Sequence, residues 1–125
     1  MRLLLDTHIF LWALTGSSRL KPAARRLIQD ASEVHVSAAS LWEIAIKVRL
    51  GRLKADPHQL AAAIEPSGFI ELPVRASHAA GVAALDAHHK DPFDRLLLAQ
   101  ALAEPLRLLT ADPVLARYSD IVILV

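Results

Sequence analysis

The sequence contains no cysteine, and this absence excludes several classes of protein. Without thiols the chain has no disulfide scaffold, no cysteine-ligated zinc site and no thiol nucleophile. Long apolar runs are also missing: the longest stretch without a formally charged residue, residues 7–18, has twelve residues, whereas a membrane-spanning helix needs about 18 or more. The apolar run at the start is ended by Asp6, far short of a secretory signal. We therefore expect a cytoplasmic globular protein.

The chain has no marked excess of charge of either sign. Its 14 Lys and Arg residues face 13 Asp and Glu residues, which gives a formal net charge of +1. This balance excludes a bulk basic nucleic-acid binder, although it is an average over regions that can differ. Two groups of basic residues could bind RNA locally or could equally be solvated helix faces. They are Arg19, Lys21, Arg25 and Arg26, and then Lys47, Arg49, Arg52 and Lys54.

What the chain does have is a high apolar share, 54% of 125 residues, enough for the core of one domain covering residues 1–125. Short apolar runs alternate with helical patterns, which predicts an α/β fold with a parallel sheet. The predicted strands are residues 1–6, 34–36, 69–72, 106–109 and 121–125. The predicted helices are residues 8–14, 22–31, 37–50, 57–64, 77–86 and 92–103, with a helical turn from Pro113.

Two aspartates follow predicted strands. Asp6 ends the first strand, and Asp112 follows the fourth strand by way of Thr110. Ligands of open parallel sheets bind outside the carboxyl ends of the strands, so both acids would face one crevice. Each could instead cap the helix that follows it, since Asp is a good N-cap residue. For Asp56, which precedes Pro57 without an apolar strand before it, we expect capping alone.

Glu43 has both a structural and a functional interpretation. It fits a capping box that begins at Ser40, and Lys47 lies four residues later as an ordinary helix ion pair. However, Trp42 and Ile44 flank it in a helix that is apolar on most sides. A carboxylate enclosed in this way needs a base or a metal ion as its partner.

Asp94 also has two interpretations. Asp91 is expected to cap a helix that has Pro92 at its first position, and Asp94 would then favour the helix dipole. Yet Leu97 and Leu98 lie on the side of Asp94 at helical spacing, so Asp94 borders the buried face. Asp91 is the better candidate for a purely structural role.

Taken together, the four acids point to a metal site. In a parallel sheet, the elements that carry Asp6, Glu43, Asp94 and Asp112 deliver them to the same edge, with Glu43 and Asp94 near the first turns of their helices. Crowded carboxylates repel one another unless a cation is present. Oxygen ligands without cysteine favour Mg²⁺ or Mn²⁺, and such ions are common in phosphate-ester chemistry.

These residues resemble a known family. Asp6 and Thr7 after the first strand, Glu43 within Trp-Glu-Ile, the segment KDPFDR at residues 90–95 and LTAD at residues 109–112 are similar to PIN-domain ribonucleases. The greatest similarity is to VapC-type toxins of toxin–antitoxin operons, and it covers essentially the whole chain in order.

The resemblance implies a short parallel sheet flanked by helices on both faces and an endoribonuclease that depends on Mg²⁺ or Mn²⁺. It also implies a cognate antitoxin that blocks the site, and the apolar excess suits a homodimer and an antitoxin groove. Asp6, Glu43 and Asp94 would be the strongest metal ligands, and Asp112 the fourth acid. Thr7 and Thr110 would orient carboxylates or water.

Substrate contacts are expected from three further residues. Arg95, beside Asp94, suits a phosphate contact or a carboxylate clamp, and Lys47 lies near Glu43. His8 replaces the small polar residue of many relatives, and it either touches substrate or merely begins a helix. The other histidines, at positions 35, 58, 78, 88 and 89, are predicted on the surface or in loops, although residues 88–90 could contact a phosphate near the site. Trp12 and Trp42 suit core packing or an aromatic anchor for a partner.

Three other classes of protein compete with the nuclease interpretation. A receiver-like phosphoacceptor domain would need an acidic pair beside the first strand, and the sequence there is Asp6-Thr7-His8. A phosphatase of the haloacid-dehalogenase type would need a second Asp where His8 stands. A non-catalytic PIN-like module would lack one or more of the four acids, all of which are present.

Overall fold

The computed structural model describes residues 1–86 and 91–125, and it contains a five-stranded sheet in which all the described strand pairs are parallel. The strands are β1 (Arg2–Leu5), β2 (Glu33–Ser37), β3 (Ile70–Leu72), β4 (Arg107–Thr110) and β5 (Val122–Leu124). The five predicted strands are confirmed, with each end within one residue of its predicted position.

Six α-helices accompany the sheet in the described part of the chain. They are α1 (Thr7–Thr15), α2 (Pro22–Asp30), α3 (Ala38–Arg49), α4 (Pro57–Ala63), α5 (Ala76–Gly81) and α6 (Pro92–Ala103). The predicted helix over residues 77–86 is wrong in its second half, where a 3₁₀ turn at Val82–Ala84 follows α5. Gly81 is a poor helix former and Val82 is β-branched, so this sequence does not sustain the helix. The turn expected from Pro113 is a 3₁₀ helix at Leu115–Arg117.

The order of the strands, β3-β2-β1-β4-β5, places the point of reversal between β1 and β4. The chain moves outward from β1 through β2 to β3, and then crosses back to β4 on the other side of β1. In doubly wound sheets, ligands bind outside the carboxyl ends of the strands at such a point. Asp6 and Thr110 lie there.

Helices cover both faces of the sheet. Side chains of successive strand residues point to opposite faces, so one strand contributes to two cores. Leu3 and Leu5 of β1 join the core beneath α1 to α4, whereas Leu4 joins a second core beneath α6. All three leucines are fully buried. The predicted fold class, a parallel sheet between two helical layers, is confirmed. In the described residues, no helix has the length and apolar character needed to cross a bilayer.

Side-chain caps fix where the helices near the acids begin. Ser37 accepts a hydrogen bond from the Ala39 N–H at 3.0 Å and is the N-cap of α3. The capping box expected at Ser40 is therefore wrong, since Ser40 lies inside the helix, and Glu43 is in its second turn. Asp91 caps α6 and Asp56 caps α4, as predicted.

Two histidines predicted at the surface are buried instead. His35 lies in β2, and its Nε2 is 2.8 Å from Glu33. His78, which is 1% exposed, accepts a hydrogen bond from the Arg75 N–H, and its Nε2 lies 2.7 Å from Glu104. Burial of each imidazole is tolerated because a carboxylate lies within hydrogen-bonding distance of its Nε2, Glu33 for His35 and Glu104 for His78.

Candidate active site

Asp6 lies at the junction of β1 and β4 and is 4% exposed. One carboxylate oxygen accepts a hydrogen bond from the Ile9 N–H at 2.8 Å, so Asp6 is the N-cap of α1. The other oxygen accepts a hydrogen bond from the Thr110 hydroxyl. Thr110 Oγ1 in turn accepts from the Asp112 N–H at 3.0 Å. Asp6 therefore caps α1 and also lies at the carboxyl end of β1, where the strand order reverses. Its place in a ligand crevice stays a prediction.

Glu43 approaches the same region from α3 and is 5% exposed. Its Oε1 accepts a hydrogen bond from the Thr7 hydroxyl at 2.6 Å, and its Oε2 is 2.8 Å from the Lys47 ammonium. The Ser40 hydroxyl lies 3.0 Å from that of Thr7. Thr7, the residue after Asp6, therefore links the end of β1 to the carboxylate of α3. Sequence analysis missed Ser40, although its position three residues before Glu43 on a helix places both on one face.

The charge of Glu43 acts on the buried carboxyl of Asp6. Burial raises the pKa of the Asp6 carboxyl above its ordinary value of 3.8, and the charge of Glu43 adds to this rise. The hydrogen bonds from Thr110 and Ile9 and the nearby His8 oppose the rise in pKa. A carboxyl that is disfavoured as an anion by burial and by a second anion is stabilised in its ionised form by a cation.

Asp94 lies in the first turn of α6, and Asp112 lies shortly before the 3₁₀ helix at Leu115–Arg117. Asp94 is half-buried in the first turn of α6, with its N–H bonded to the capping carboxylate of Asp91 at 3.1 Å. The start of α6 lies against α3, and the ring centroids of Phe93 and Trp42 are 5.1 Å apart. Asp112 accepts a hydrogen bond from the Val114 N–H at 2.9 Å and is also half-buried. The Asp112 carboxylate therefore has a local structural role, and the roles of Asp94 and Asp112 in the site stay predictions.

The Arg95 side chain is bonded to other parts of the protein, whereas His8 is exposed to solvent. The Arg95 guanidinium donates to the carbonyl of Asp86 at 2.8 Å and to the Tyr118 hydroxyl at 3.3 Å. His8 is exposed at the first turn of α1, and its ring centroid lies 5.9 Å from that of Trp12. Contact of either residue with substrate stays a prediction. The possible phosphate contact at residues 88–90 lies outside the described residues.

The donors present suit a hard divalent cation. Within residues 1–86 and 91–125, no three His, Asp or Glu side chains form a ready metal cluster. Mg²⁺, however, is often held by one or two carboxylates and keeps several of its waters. Asp6 and Glu43, both buried and mutually repelling, meet that requirement, so the residues fit the ion.

Comparison with known proteins identifies the family to which this chain belongs. The sequence profile of the PIN domain matches residues 3–121. The chain belongs to the PIN-domain family. Membership excludes the receiver-like and phosphatase-like alternatives, which are other folds.

The relatives of this PIN domain include a ribonuclease and proteins in toxin–antitoxin complexes. The chain is 34% identical over 116 residues to ribonuclease VapC22 of Mycobacterium tuberculosis, with 87% of this chain and 85% of that protein covered. A toxin–antitoxin complex from Klebsiella pneumoniae is similar at a TM-score of 0.69 and 18% identity, covering 97% of this chain and 95% of that chain. VapBC2 from Rickettsia felis, bound to a promoter DNA fragment, is similar at a TM-score of 0.71 and 19% identity, covering 100% and 98%. These structures share the PIN fold.

Proposed function

We propose that this PIN domain, residues 1–125, is a metal-dependent endoribonuclease that acts as the toxin of a toxin–antitoxin pair. The observation that carries the proposal is the pair of buried carboxylates, Asp6 and Glu43, held at the point of strand reversal by Thr110 and Thr7. The 34% identity to a VapC ribonuclease supports RNA as the substrate. Similarity to toxins in complexes with antitoxins supports a cognate antitoxin as the inhibitor.

Asp6 and Glu43 would hold Mg²⁺ or Mn²⁺, with Asp94 and Asp112 as the further acids of the site. When bound, the ion supplies a water of lowered pKa and positive charge that stabilises the phosphorane-like transition state. The protein contributes orientation. Thr110 fixes one oxygen of Asp6, and Thr7 fixes one oxygen of Glu43, so both carboxylates keep their rotamers before substrate arrives. The Lys47 ammonium neutralises part of the charge of Glu43.

A homodimer in the cytoplasm completes the proposal. Trp42 is 62% exposed on α3, and it borders an apolar cavity of about 290 Å³ with Phe93 and Leu96 of α6. An exposed tryptophan beside an apolar cavity is suited to burial against a partner. We propose that two chains associate there.

Removal of divalent metal provides the direct test of the activity. We expect the purified chain to cut RNA in Mg²⁺ or Mn²⁺ and to lose cleavage in EDTA. In the proposed mechanism the nucleophile is a water activated by the metal and not a side chain, so removal of the metal removes the nucleophile. The products should carry a 5′-phosphate and a 3′-hydroxyl, which end-labelling of the fragments will show. Cleavage that continues in EDTA and leaves a 2′,3′-cyclic phosphate would disprove the mechanism.

The raised pKa of Asp6 gives a second expectation. Because protons compete with the metal for this carboxylate, we expect Mg²⁺ to bind more weakly as the pH falls towards and through the raised pKa. In the metal-free protein the burial of the Asp6 anion is destabilising, and this cost develops as the pH rises above 3.8. Mg²⁺ at about one hundred times its Kd should then add about 2.7 kcal/mol to the free energy of unfolding at pH 7.5.

Thermal unfolding between pH 4.5 and pH 7.5, with and without Mg²⁺, measures this dependence. The gain in Tm should grow with pH over this range. Solutions brought to the same ionic strength with NaCl serve as the control for screening. A gain in Tm that is independent of pH, or equal in NaCl, is the contrary result.

A further inference from the structure

A glutamine side chain lies fully buried in the second half of α6, at Gln100. Its Oε1 accepts a hydrogen bond from the Ser37 hydroxyl at 2.6 Å, and its Nε2 donates to the Pro73 carbonyl at 3.2 Å. Glutamine is rarely buried, and the core accommodates a polar side chain only where its donors and acceptors have partners. Both ends of this amide are paired, with groups from two other parts of the chain.

Ser37 connects this amide to the start of α3. Ser37 is the last residue of β2 and the N-cap of α3, and its oxygen accepts from the Ala39 N–H at 3.0 Å. The same hydroxyl donates to Gln100. It is fully buried, so no water competes for either bond. The first residue of the helix that carries Glu43 is therefore bonded directly to the helix that carries Asp94.

The bond lies at equivalent distances from the two acids. Ser37 is six residues before Glu43 along α3, and Gln100 is six residues after Asp94 along α6. An α-helix rises 1.5 Å per residue, so each acid is about 9 Å along its own helix from the bond. A shift at the bond would thus be transmitted along a rigid helix to the level of each carboxylate.

A second contact lies beside the acids themselves. Trp42 precedes Glu43, Phe93 precedes Asp94, and the two aromatic rings are 5.1 Å apart between their centroids. Together with the bond at Ser37, this contact means that α3 and α6 pass one another in opposite directions. The two acids therefore have corresponding positions on the two helices.

The hydrogen bond determines how far α6 extends along α3. The buried side chains around Gln100 in α6 are apolar, namely Leu97, Leu98 and Ala101. Apolar contacts are non-directional, and they tolerate a small displacement of one helix along another. A hydrogen bond is restricted in both distance and angle. Moving α6 would leave two buried polar groups without partners, which is more costly than rearranging apolar contacts.

We propose that Gln100 is a positioning residue of the active site. Through its bond to Ser37, it fixes the separation between the carboxylates of Glu43 and Asp94. The inference rests on the proposed metal-dependent function, in which both acids belong to one site, and adds to it two residues that do not touch the metal. Polar groups outside the ligand set often orient the ligands in this way.

Metal affinity provides the first test. Gln100→Met retains the length and approximate volume of the side chain and removes the amide. We expect it to bind Mn²⁺ about tenfold more weakly than the parent, measured by the EPR signal of free Mn²⁺ during a titration. Leu106→Ala is the control, because Leu106 is buried in the same core beyond the end of α6, and its truncation lowers stability without removing a polar contact. The control should bind Mn²⁺ like the parent. Unchanged affinity in Gln100→Met, or an equal loss in both variants, overturns the proposal.

The same bond can be removed from its other end. Ser37→Ala removes the donor and also the cap of α3, whereas Asp56→Ala removes only the cap of α4. We expect Ser37→Ala to weaken Mn²⁺ binding about tenfold and Asp56→Ala to leave it unchanged. This comparison decides the question by itself if Gln100→Met does not fold.

The double variant Ser37→Ala/Gln100→Met tests whether the two residues act through one another. It should bind Mn²⁺ about tenfold more weakly than the parent, like each single variant, because all three lack the same bond. A loss of about a hundredfold would mean that the two effects are independent, and this would overturn the link through Ser37.

A distance between the helices tests the inference without metal. Because the chain has no cysteine, the pair Arg49→Cys and Leu102→Cys takes spin labels at two exposed positions alone, one on α3 and one on α6. Pulsed EPR in EDTA gives the distribution of label distances. Adding Gln100→Met should shift or broaden this distribution by at least about 1.5 Å, the rise of one helical residue. Adding Leu106→Ala should not, and an unchanged distribution in Gln100→Met overturns the proposal.

Kinetics separate failure of this inference from failure of the proposed function. At saturating Mn²⁺, Gln100→Met should lower kcat about tenfold and leave the KM for RNA unchanged, since misplaced carboxylates affect the chemical step. If the parent cuts no RNA with any metal, the proposed function fails, and the label distances still decide whether Gln100 positions the two helices. If the parent cuts RNA, and Gln100→Met matches it in kcat, Mn²⁺ affinity and label distance, the positioning role alone fails.

Discussion

Replacement of Glu43 by glutamine is expected to lower RNA cleavage at least about 1000-fold while the chain still folds. Glutamine has nearly the shape of glutamate, and its oxygen can still accept the hydrogen bond from the Thr7 hydroxyl. What it lacks is the negative charge that attracts the metal. A 1000-fold loss corresponds to about 4 kcal/mol of transition-state stabilisation, within the contribution of a bound metal ion.

The loss is measured as the initial rate of cleavage of a labelled RNA at saturating Mg²⁺, with circular dichroism as the check on folding. Glu33→Gln is the matched control. Glu33 is also a paired glutamate, bonded to Arg2 at 3.2 Å and to His35 at 2.8 Å, but it begins β2 at the opposite end of the sheet. Its variant should cleave within about twofold of the parent. If the Glu43 variant retained a tenth of the activity, the assignment of Glu43 as a ligand would be wrong.

Much of the fold follows from the sequence because the apolar runs are short and three of the five are followed by a polar residue, namely Asp6, Ser37 and Thr110. A run such as Leu3 to Leu5, buried on both faces, is typical of a parallel strand. Since Asp6 directly follows it, the position of this acid at the edge of the sheet could be predicted without knowing the neighbouring strand. The neighbour itself, β4 with Thr110, is about one hundred residues away, and pairing over that distance leaves no local pattern.

Local motifs were less informative where tertiary contacts compete with them. The sequence from Ser40 to Glu43 matches a capping box, but the chain leaves β2 at Ser37, and Ser37 caps the helix first. The Ser40 and Glu43 side chains then turn to Thr7 of another helix. A motif defined by spacing within one helix cannot distinguish these two outcomes, because the spacing is the same in both.

Sequence spacing also does not indicate which basic residues the fold brings together. The sequence places Arg19 and Arg52 in different groups. The predicted helix over residues 37–50 ends between Arg49 and Arg52, but it does not indicate which of these two arginines lies near Arg19. In the structure α3 ends between them: Arg49 is in the last turn of the helix, and Arg52 follows the turn at Gly51, where φ is +73°. That change of direction places Arg52 at a cavity of about 440 Å³ that Arg19 also lines.

Replacement of Thr110 by valine is expected to destabilise the metal-free protein by about 2–3 kcal/mol. Valine has nearly the same volume, so packing is retained, but two hydrogen bonds are lost. Asp6 loses the hydroxyl that donates to its second oxygen, and the Asp112 N–H loses its acceptor. A buried carboxylate oxygen left without a donor costs more than a neutral group in the same position.

Urea unfolding at pH 7.5 in EDTA measures this loss, and Thr15→Val provides the comparison. The Thr15 hydroxyl donates to the Leu11 carbonyl on the exposed side of α1, so its removal should change the free energy of unfolding by less than about 0.5 kcal/mol. The effect at Thr110 should also depend on pH. The hydroxyl lowers the pKa of Asp6, so the variant raises that pKa further, and the difference in stability should narrow as the pH falls through it. A difference that is the same at pH 4.5 and pH 7.5 would mean that Thr110 acts through packing and not through the charge of Asp6.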